Sequence, residues 1–197
     1  MLIGLIRHGK TDWNLKGIIQ GQTDIPLNEE GIMQARALAR RLQEETKIWD
    51  LVVSSDLGRA QHTAAIIAEA LQISVLDPDP RLRERFFGEV EGTTEEERIQ
   101  RWGPDWRESG VQQLGMESDE AVRARGKEAI ADMMKLHPDQ NILLVSHGSF
   151  LAQMLQELCS DLTDTRIGNL SYSVLSLGEQ GWQPVLHNCT RHLETIK

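Results

Sequence analysis

Apolar positions recur along the chain in two alternating rhythms. Residues 2 to 6 (Leu-Ile-Gly-Leu-Ile) form the short unbroken apolar run expected of a strand covered on both faces. A polar loop with Gly17, Gly21 and Pro26 follows, and Asn28 is then placed to cap a helix on which Ile32, Ala35, Leu38, Ala39 and Leu42 share one face. Residues 50 to 53 (Asp-Leu-Val-Val) predict a second strand, and Ala60, Ala64, Ile67, Ala68 and Leu71 the stripe of a second helix. A short third strand is expected at 73 to 76 (Ile-Ser-Val-Leu).

From 77 to 118 the rhythm breaks, and Gly, Pro, Glu and Trp accumulate around one short helix near Thr94 to Trp102. This stretch is expected to be an insertion covering one end of the sheet. A long helix then runs from about Asp119 to His137, ended by Pro138, with Val122, Ala129, Met133 and Leu136 inward. Asn141 to Val145 is the clearest buried strand, followed by a helix with the stripe Phe150, Leu151, Met154, Leu155 and Leu158. Residues 171 to 177 and 182 to 187, separated by Gly178 to Gly181, close the pattern as a pair of strands. The alternation predicts an α/β fold, a three-layer α/β/α sandwich with a mostly parallel sheet.

Length and composition narrow the picture. With 197 residues and no repeat or linker-like shift, residues 1–197 are expected to form a single domain. No apolar run is long enough to span a bilayer and no secretory-type leader precedes the first strand, so the expectation is a cytoplasmic protein without membrane contact. Cys159 and Cys189 are too far apart for a metal-type spacing and are expected to be free thiols. A net charge of −9 argues against nucleic acid as a partner. It leaves room for a small anion, because a local cationic cluster can dominate the field inside one cleft.

Such a cluster stands where ligands bind in open α/β sheets, just beyond the carboxyl ends of the strands. The first strand exits into Arg7, His8 and Gly9, the second into Ser54-Ser55-Asp56-Leu57-Gly58-Arg59, and the strand at 141 to 145 into Ser146, His147 and Gly148. Any one of these is unremarkable as a loop residue, but two arginines and two histidines at one edge point to an anion site. Arginine suits phosphate through paired, charge-assisted hydrogen bonds. Gly148 precedes a helix whose N-terminus favours anions. A neutral histidine there can attack phosphorus, and the leaving oxygen then needs an acid. Glu84 in "PRLRERFFGEVEG" is a candidate if burial raises its pKa, and Glu89, Glu91 and Glu95 to Glu97 are alternatives on residue type alone.

The chain resembles the histidine phosphatase superfamily, the phosphoglycerate mutase-like family, along nearly its whole length. The resemblance is carried by "RHGKTDWN" (7 to 14), "QGQTDIPLNEEG" (20 to 31), "SSDLGRAQHTA" (54 to 64), "LRERFFGEVEG" (82 to 92), "GMESDEAVRARG" (115 to 126) and "VSHG" (145 to 148). It implies a phosphoglycerate mutase-like fold, His8 as the phosphorylated nucleophile, and Arg7, Arg59 and His147 as the phosphoryl clamp. It also implies Glu84 as proton donor, Asn14, Gln20 and Gly21 lining the phosphate pocket, and no metal or other cofactor. Lys10 stands where many members of the family carry glutamate and is expected to point into solvent.

Within that family, mutases carry a longer insertion rich in arginine and lysine. Here residues 93 to 118 hold Glu95, Glu96, Glu97, Asp105, Glu108 and Glu117 against Arg98, Arg101 and Arg107. The resemblance therefore implies a phosphomonoesterase acting on small phosphorylated substrates, with a phosphoglycerate mutase or a non-catalytic phospholigand binder as alternatives. Trp102 and Trp106, with Pro104 between them, are read as packing residues ahead of a substrate wall. His62, His137, His187 and His192 are expected at the surface, and the chain as a monomer or homodimer.

Overall fold

The computed structural model describes residues 1–45 and 48–196. Its sheet has six strands in the order β3-β2-β4-β1-β5-β6. They are β1 (Leu2–Arg7), β2 (Leu51–Ser54), β3 (Ser74–Val75), β4 (Ile142–Ser146), β5 (Tyr172–Gly178) and β6 (Gly181–Cys189). β3, β2, β4 and β1 are mutually parallel, and β5 alone runs against them before β6 turns back.

Alternation along each central strand divides the core into two. Ile6, Val52, Leu143 and Val145 pack against α2 (Glu29–Glu44) and α3 (Gly58–Leu71). Ile3, Leu5, Leu51, Val53, Ile142 and Leu144 pack against α6 (Asp119–Leu136) and α7 (Gly148–Leu158). This is the sandwich that the alternating rhythms predict, and burying each of these side chains contributes about 1.5–3 kcal/mol. Asn28 caps α2 as expected, its side chain accepting from the Gly31 N–H.

Several local expectations change. The strand expected at 73 to 76 is ordered as a pair only over Ser74–Val75, both exposed at the sheet edge. Leu136, expected inward, is 72% exposed. The 18-residue α6 spans about 27 Å and overruns the five-residue β4, which spans about 17 Å, so its last turn has no sheet beneath it. Gly126 joins the buried face instead, and a Cβ there would press on Met154 and Phe150 of α7.

The 77 to 118 stretch holds the expected helix, α4 (Glu95–Trp102), capped by Thr94, and a second one, α5 (Trp106–Gln113). Pro104 falls in the break between them. The first polar loop also holds one helical turn, α1 (Asp12–Leu15). Among the described residues no helix is long and apolar enough to cross a membrane.

Candidate active site

Strand order assembles the site. β4 lies between β2 and β1, with Arg7 level with Ser146 and Ser54 level with Val145. His8 is therefore level with His147, and Ser55 is level with Ser146, one position before His147. Backbone bonds continue the register past the strand ends, from His8 N–H to Ser146 O at 2.9 Å and from Ser55 N–H to Val145 O at 3.1 Å.

His8 is buried, and its Nδ1–H donates to the Gly9 carbonyl at 2.7 Å. Its pKa is driven well below the usual histidine value by burial and by the charges of Arg59 and Arg7. The ring is therefore neutral, and Nε2 holds a lone pair. Arg59 presents its Nε–H to that nitrogen at 3.3 Å. The guanidinium is itself 1% exposed and fixed by the carbonyls of Thr23 (2.8 Å) and Gly21 (2.7 Å). Burial brings its pKa down to about 10, which leaves it charged at neutral pH.

His147 lies against His8 with ring centroids 5.1 Å apart. Its pKa is also held well below the usual value, by burial and then by His8 and Arg59. Ser55 orients the ring: its hydroxyl accepts weakly from Leu57 N–H at 3.4 Å and is hydrogen-bonded to His147 Nε2 at 2.6 Å. Its Nδ1 is a buried atom without a hydrogen-bond partner among the described residues. Arg7 anchors one end on the Ile167 carbonyl at 2.8 Å and keeps a buried, unpartnered Nε–H. The Arg7 Nε–H and the His147 Nδ1 thus stand unsatisfied beside the neutral His8, which is costly unless a ligand completes them.

Glu84 accepts from Arg85 N–H (2.8 Å) and Phe150 N–H (2.9 Å) on one oxygen and from Ser149 N–H (3.0 Å) on the other. The anion-favouring start of α7 is thus occupied by this carboxylate. Gly148 lets Arg7 approach, since a Cβ would lie 3.3 Å from the guanidinium carbon. Among the glutamates that residue type left open, Glu84 lines the cavity, Glu89 is exposed, and Glu95 and Glu97 serve α4.

A cavity of about 560 Å³ opens over these groups. Arg7, His8, Asn14, Gln20, Gly21, Arg59, Glu84 and Gly148 all line it, while His147 is fully buried beside His8. Asn14 holds its amide oxygen on Thr11 and on Asn169, which directs its NH2 group to the cavity. Gln20 is buried and accepts from the Thr11 hydroxyl at 2.8 Å.

The outer wall consists of Ile18, Ile19, Phe87, Ala152 and Ile167, with Thr165 and Arg166 at the rim. Trp106 is buried against Val90, Leu114 and Met116, and Trp102 packs on the same cluster, so neither forms the wall. Lys10 turns to Glu30 at 2.6 Å, an ion pair outside the cavity where open solvent was expected. His192, expected at the surface, is buried with Nε2 bonded to the Leu170 carbonyl at 2.8 Å. Both cysteines are free thiols.

Sequence reasoning missed the supports. Arg125 of α6 reads as a solvated helix residue, yet it donates to the carbonyls of Arg81 (2.6 Å), Arg83 (2.8 Å) and Glu84 (3.2 Å), holding the segment that carries Glu84. Ser55 stood inside a noted strand exit, but nothing local paired it with a histidine 92 positions away. Among the described residues no group of three or more His, Cys, Asp or Glu is arranged to hold a metal ion.

Known proteins resemble the chain over nearly its whole length. The chain is 34% identical to an uncharacterized phosphatase, PhoE, of Bacillus subtilis over 96% of its own length and 95% of the relative's. It is 37% identical to a probable phosphoglycerate mutase, GpmB, of an Enterobacter species, covering 90% of this chain and 86% of that one. The solved mycobacterial glucosyl-3-phosphoglycerate phosphatase in complex with VO3 superposes with a TM-score of 0.83 at 31% identity, over 95% of this chain and 99% of the other. The family model of the histidine phosphatase superfamily (branch 1) matches residues 3–190. A neutral histidine ringed by two arginines and a second histidine thus stands inside a match that runs almost end to end, and the chain belongs to the histidine phosphatase superfamily.

Proposed function

We propose that the chain is a metal-independent phosphomonoesterase that hydrolyses small phosphorylated metabolites through a phosphohistidine on His8. The observation that carries this reading is the fixed state of His8: Nδ1–H is held by Gly9, and Nε2 is unprotonated in a cationic pocket. The phosphoryl oxygens take the Nε–H of Arg7, the Nδ1–H of His147 and the Arg59 Nε–H that rests on His8 in the free site. Nε2 bonds to phosphorus, the ester P–O bond breaks, and Glu84 gives a proton to the departing oxygen from its less occupied oxygen, which accepts only the Ser149 N–H. Water then attacks the phosphohistidine, Glu84 takes a proton from it, and inorganic phosphate leaves with His8 restored.

The similarity to a probable phosphoglycerate mutase favours one second reading, return of the phosphoryl group to a substrate. That chemistry draws on cations in the insertion. Here Arg98 is held by Thr93 and Glu95, Arg107 lies 4.6 Å over the Trp106 ring, and neither lines the cavity. Hydrolysis is the reading these positions support.

Release of p-nitrophenol from p-nitrophenyl phosphate in EDTA tests it, together with trapping of labelled phosphoenzyme by an alkaline denaturing quench. Turnover with an acid-labile phosphoenzyme that His8→Ala abolishes is expected. Full activity in His8→Ala would overturn the covalent route, and no turnover on any phosphomonoester would leave a phospholigand binder. Conversion of 3-phosphoglycerate to 2-phosphoglycerate faster than phosphate release would establish the mutase.

A further inference from the structure

Glu91 is not among the cavity-lining residues, yet its carboxylate joins both ends of the cavity. One oxygen accepts from the N–H of Gln22 and from the N–H of Phe87, each at 3.0 Å. The other accepts from the Thr23 hydroxyl at 3.0 Å. Gln22 and Thr23 belong to the turn whose Gly21 and Thr23 carbonyls grip Arg59, and Phe87 is the aromatic side of the organic wall. Gly21 fits the same arrangement. It has φ of +51°, and a Cβ there would collide with the Glu91 carboxylate.

We propose that Glu91 is a positioning residue for the phosphoryl-transfer site, fixing the 20–23 turn that aims Arg59 and the Phe87 wall with a single carboxylate. The inference rests on the phosphomonoesterase reading for the role of Arg59. The turn is otherwise held to the insertion by Ile19 N–H on the Thr93 carbonyl (3.2 Å), Gly92 N–H on the Ile19 carbonyl (2.9 Å), the Gln22 amide on the Glu84 carbonyl (3.0 Å) and, weakly, Arg83 on the Gln22 amide oxygen (3.5 Å). None of these restrains the Gly21 or Thr23 carbonyl directly, and apart from Arg59 the Thr23 carbonyl accepts from the Ile25 N–H (3.2 Å) of the same loop. Without the Glu91 carboxylate the peptide planes that hold Arg59 can turn, and its Nε–H leaves the line between His8 and the phosphoryl oxygens.

Glu91 also bears on Arg59 through charge. Burial and Arg7 press the guanidinium toward neutrality, while Glu84, Asp24 and Glu91 oppose them, and the two neutral histidines face it from the strand ends. Removing one of the three carboxylates lowers the pH at which Arg59 loses its proton.

The test compares wild type with Glu91→Gln, which keeps size, and Thr23→Val, which removes one of the three bonds. Inorganic phosphate affinity by calorimetry, kcat/KM on p-nitrophenyl phosphate across pH, and the thermal midpoint are measured for each. In Glu91→Gln, kcat/KM is expected to fall on the order of a hundredfold with weaker phosphate binding, as for a misplacement of about 1 Å remote from the chemistry. The alkaline limb of its pH profile is expected to move to lower pH, with a smaller loss in Thr23→Val. A merely structural role would lower the midpoint and leave the alkaline limb in place. Unchanged phosphate affinity, kcat/KM and alkaline limb in a folded Glu91→Gln would overturn the inference while leaving an active wild type. A wild type that neither binds phosphate nor turns over would instead overturn the phosphomonoesterase reading and this inference together.

Discussion

The two ends of the cavity are built on opposite principles. At the inner end, Arg7, His8 and His147 leave adjacent strands in register, and each has its protonation or orientation set by a hydrogen bond of 2.6 to 2.8 Å. At the outer end, Ile18, Ile19, Phe87 and Thr165 to Ile167 come from loops, and the one cation there, Arg166, is 87% exposed and paired with Asp164. Rigid sheet edges hold a reacting group far better than loops do, whereas loops can change what is recognised without disturbing the core. The contrast sets the groups around His8 on sheet edges and most of the outer wall on loops.

The contrast can be broken hardest at His8. His8→Asn is expected to lower kcat on p-nitrophenyl phosphate about a thousandfold or more while phosphate still binds, read by steady-state kinetics and calorimetry. Ser55→Ala should cost roughly a hundredfold in kcat/KM, because His147 loses the partner that orients its ring. An effect of that size from a residue outside the cavity lining would confirm that the inner end works through wired neighbours.

At the outer end the same experiments should give small numbers. Arg166→Ala is expected to raise KM by up to about fivefold for phosphomonoesters carrying a second anionic group, since an exposed charge contact is worth up to about 1 kcal/mol. It should leave p-nitrophenyl phosphate unaffected. Lys10→Glu marks the floor of the scale. It places a second carboxylate beside Glu30, and denaturant titration should read a loss of about 1 kcal/mol or less with kcat/KM within about twofold of wild type.

Stability offers an independent check on the buried histidines. His8 and His147 have pKa values held well below the ordinary histidine value, and His192 is brought down to about 4 by burial. The unfolded chain takes up protons as pH falls below about 6.5, and the folded chain does not. Stability should therefore fall as pH drops from about 6.5 through the folded values. In His192→Gln the fall between pH 6.5 and 4 should be shallower, as read from thermal midpoints. An equal slope would place His192 elsewhere in the protonation balance.

The periodicities carried most of the architecture. Val52, Leu143 and Ile6 could be assigned to strands because apolar runs of that length admit few other structures, and Asn28 marked a helix start through its own side chain. Leu136 misled because periodicity reports which face of a helix is apolar, not where the neighbouring sheet ends. Lys10 was undecidable locally, as Glu30 lies 20 positions away.

By itself the sequence determined the alternation of strands and helices and the arginines and histidines at the strand exits, and its resemblance to a family implied roles for them. Those properties are local or cumulative, carried by short spacings and by residue type. Only the tertiary structure decided that β4 inserts between β1 and β2, so that Ser55 meets His147, that Arg125 grips the segment carrying Glu84, and that Glu91 underlies both Phe87 and the turn holding Arg59. Those pairings join residues distant along the chain through directed hydrogen bonds, and directed bonds depend on where the packed sheet places each backbone.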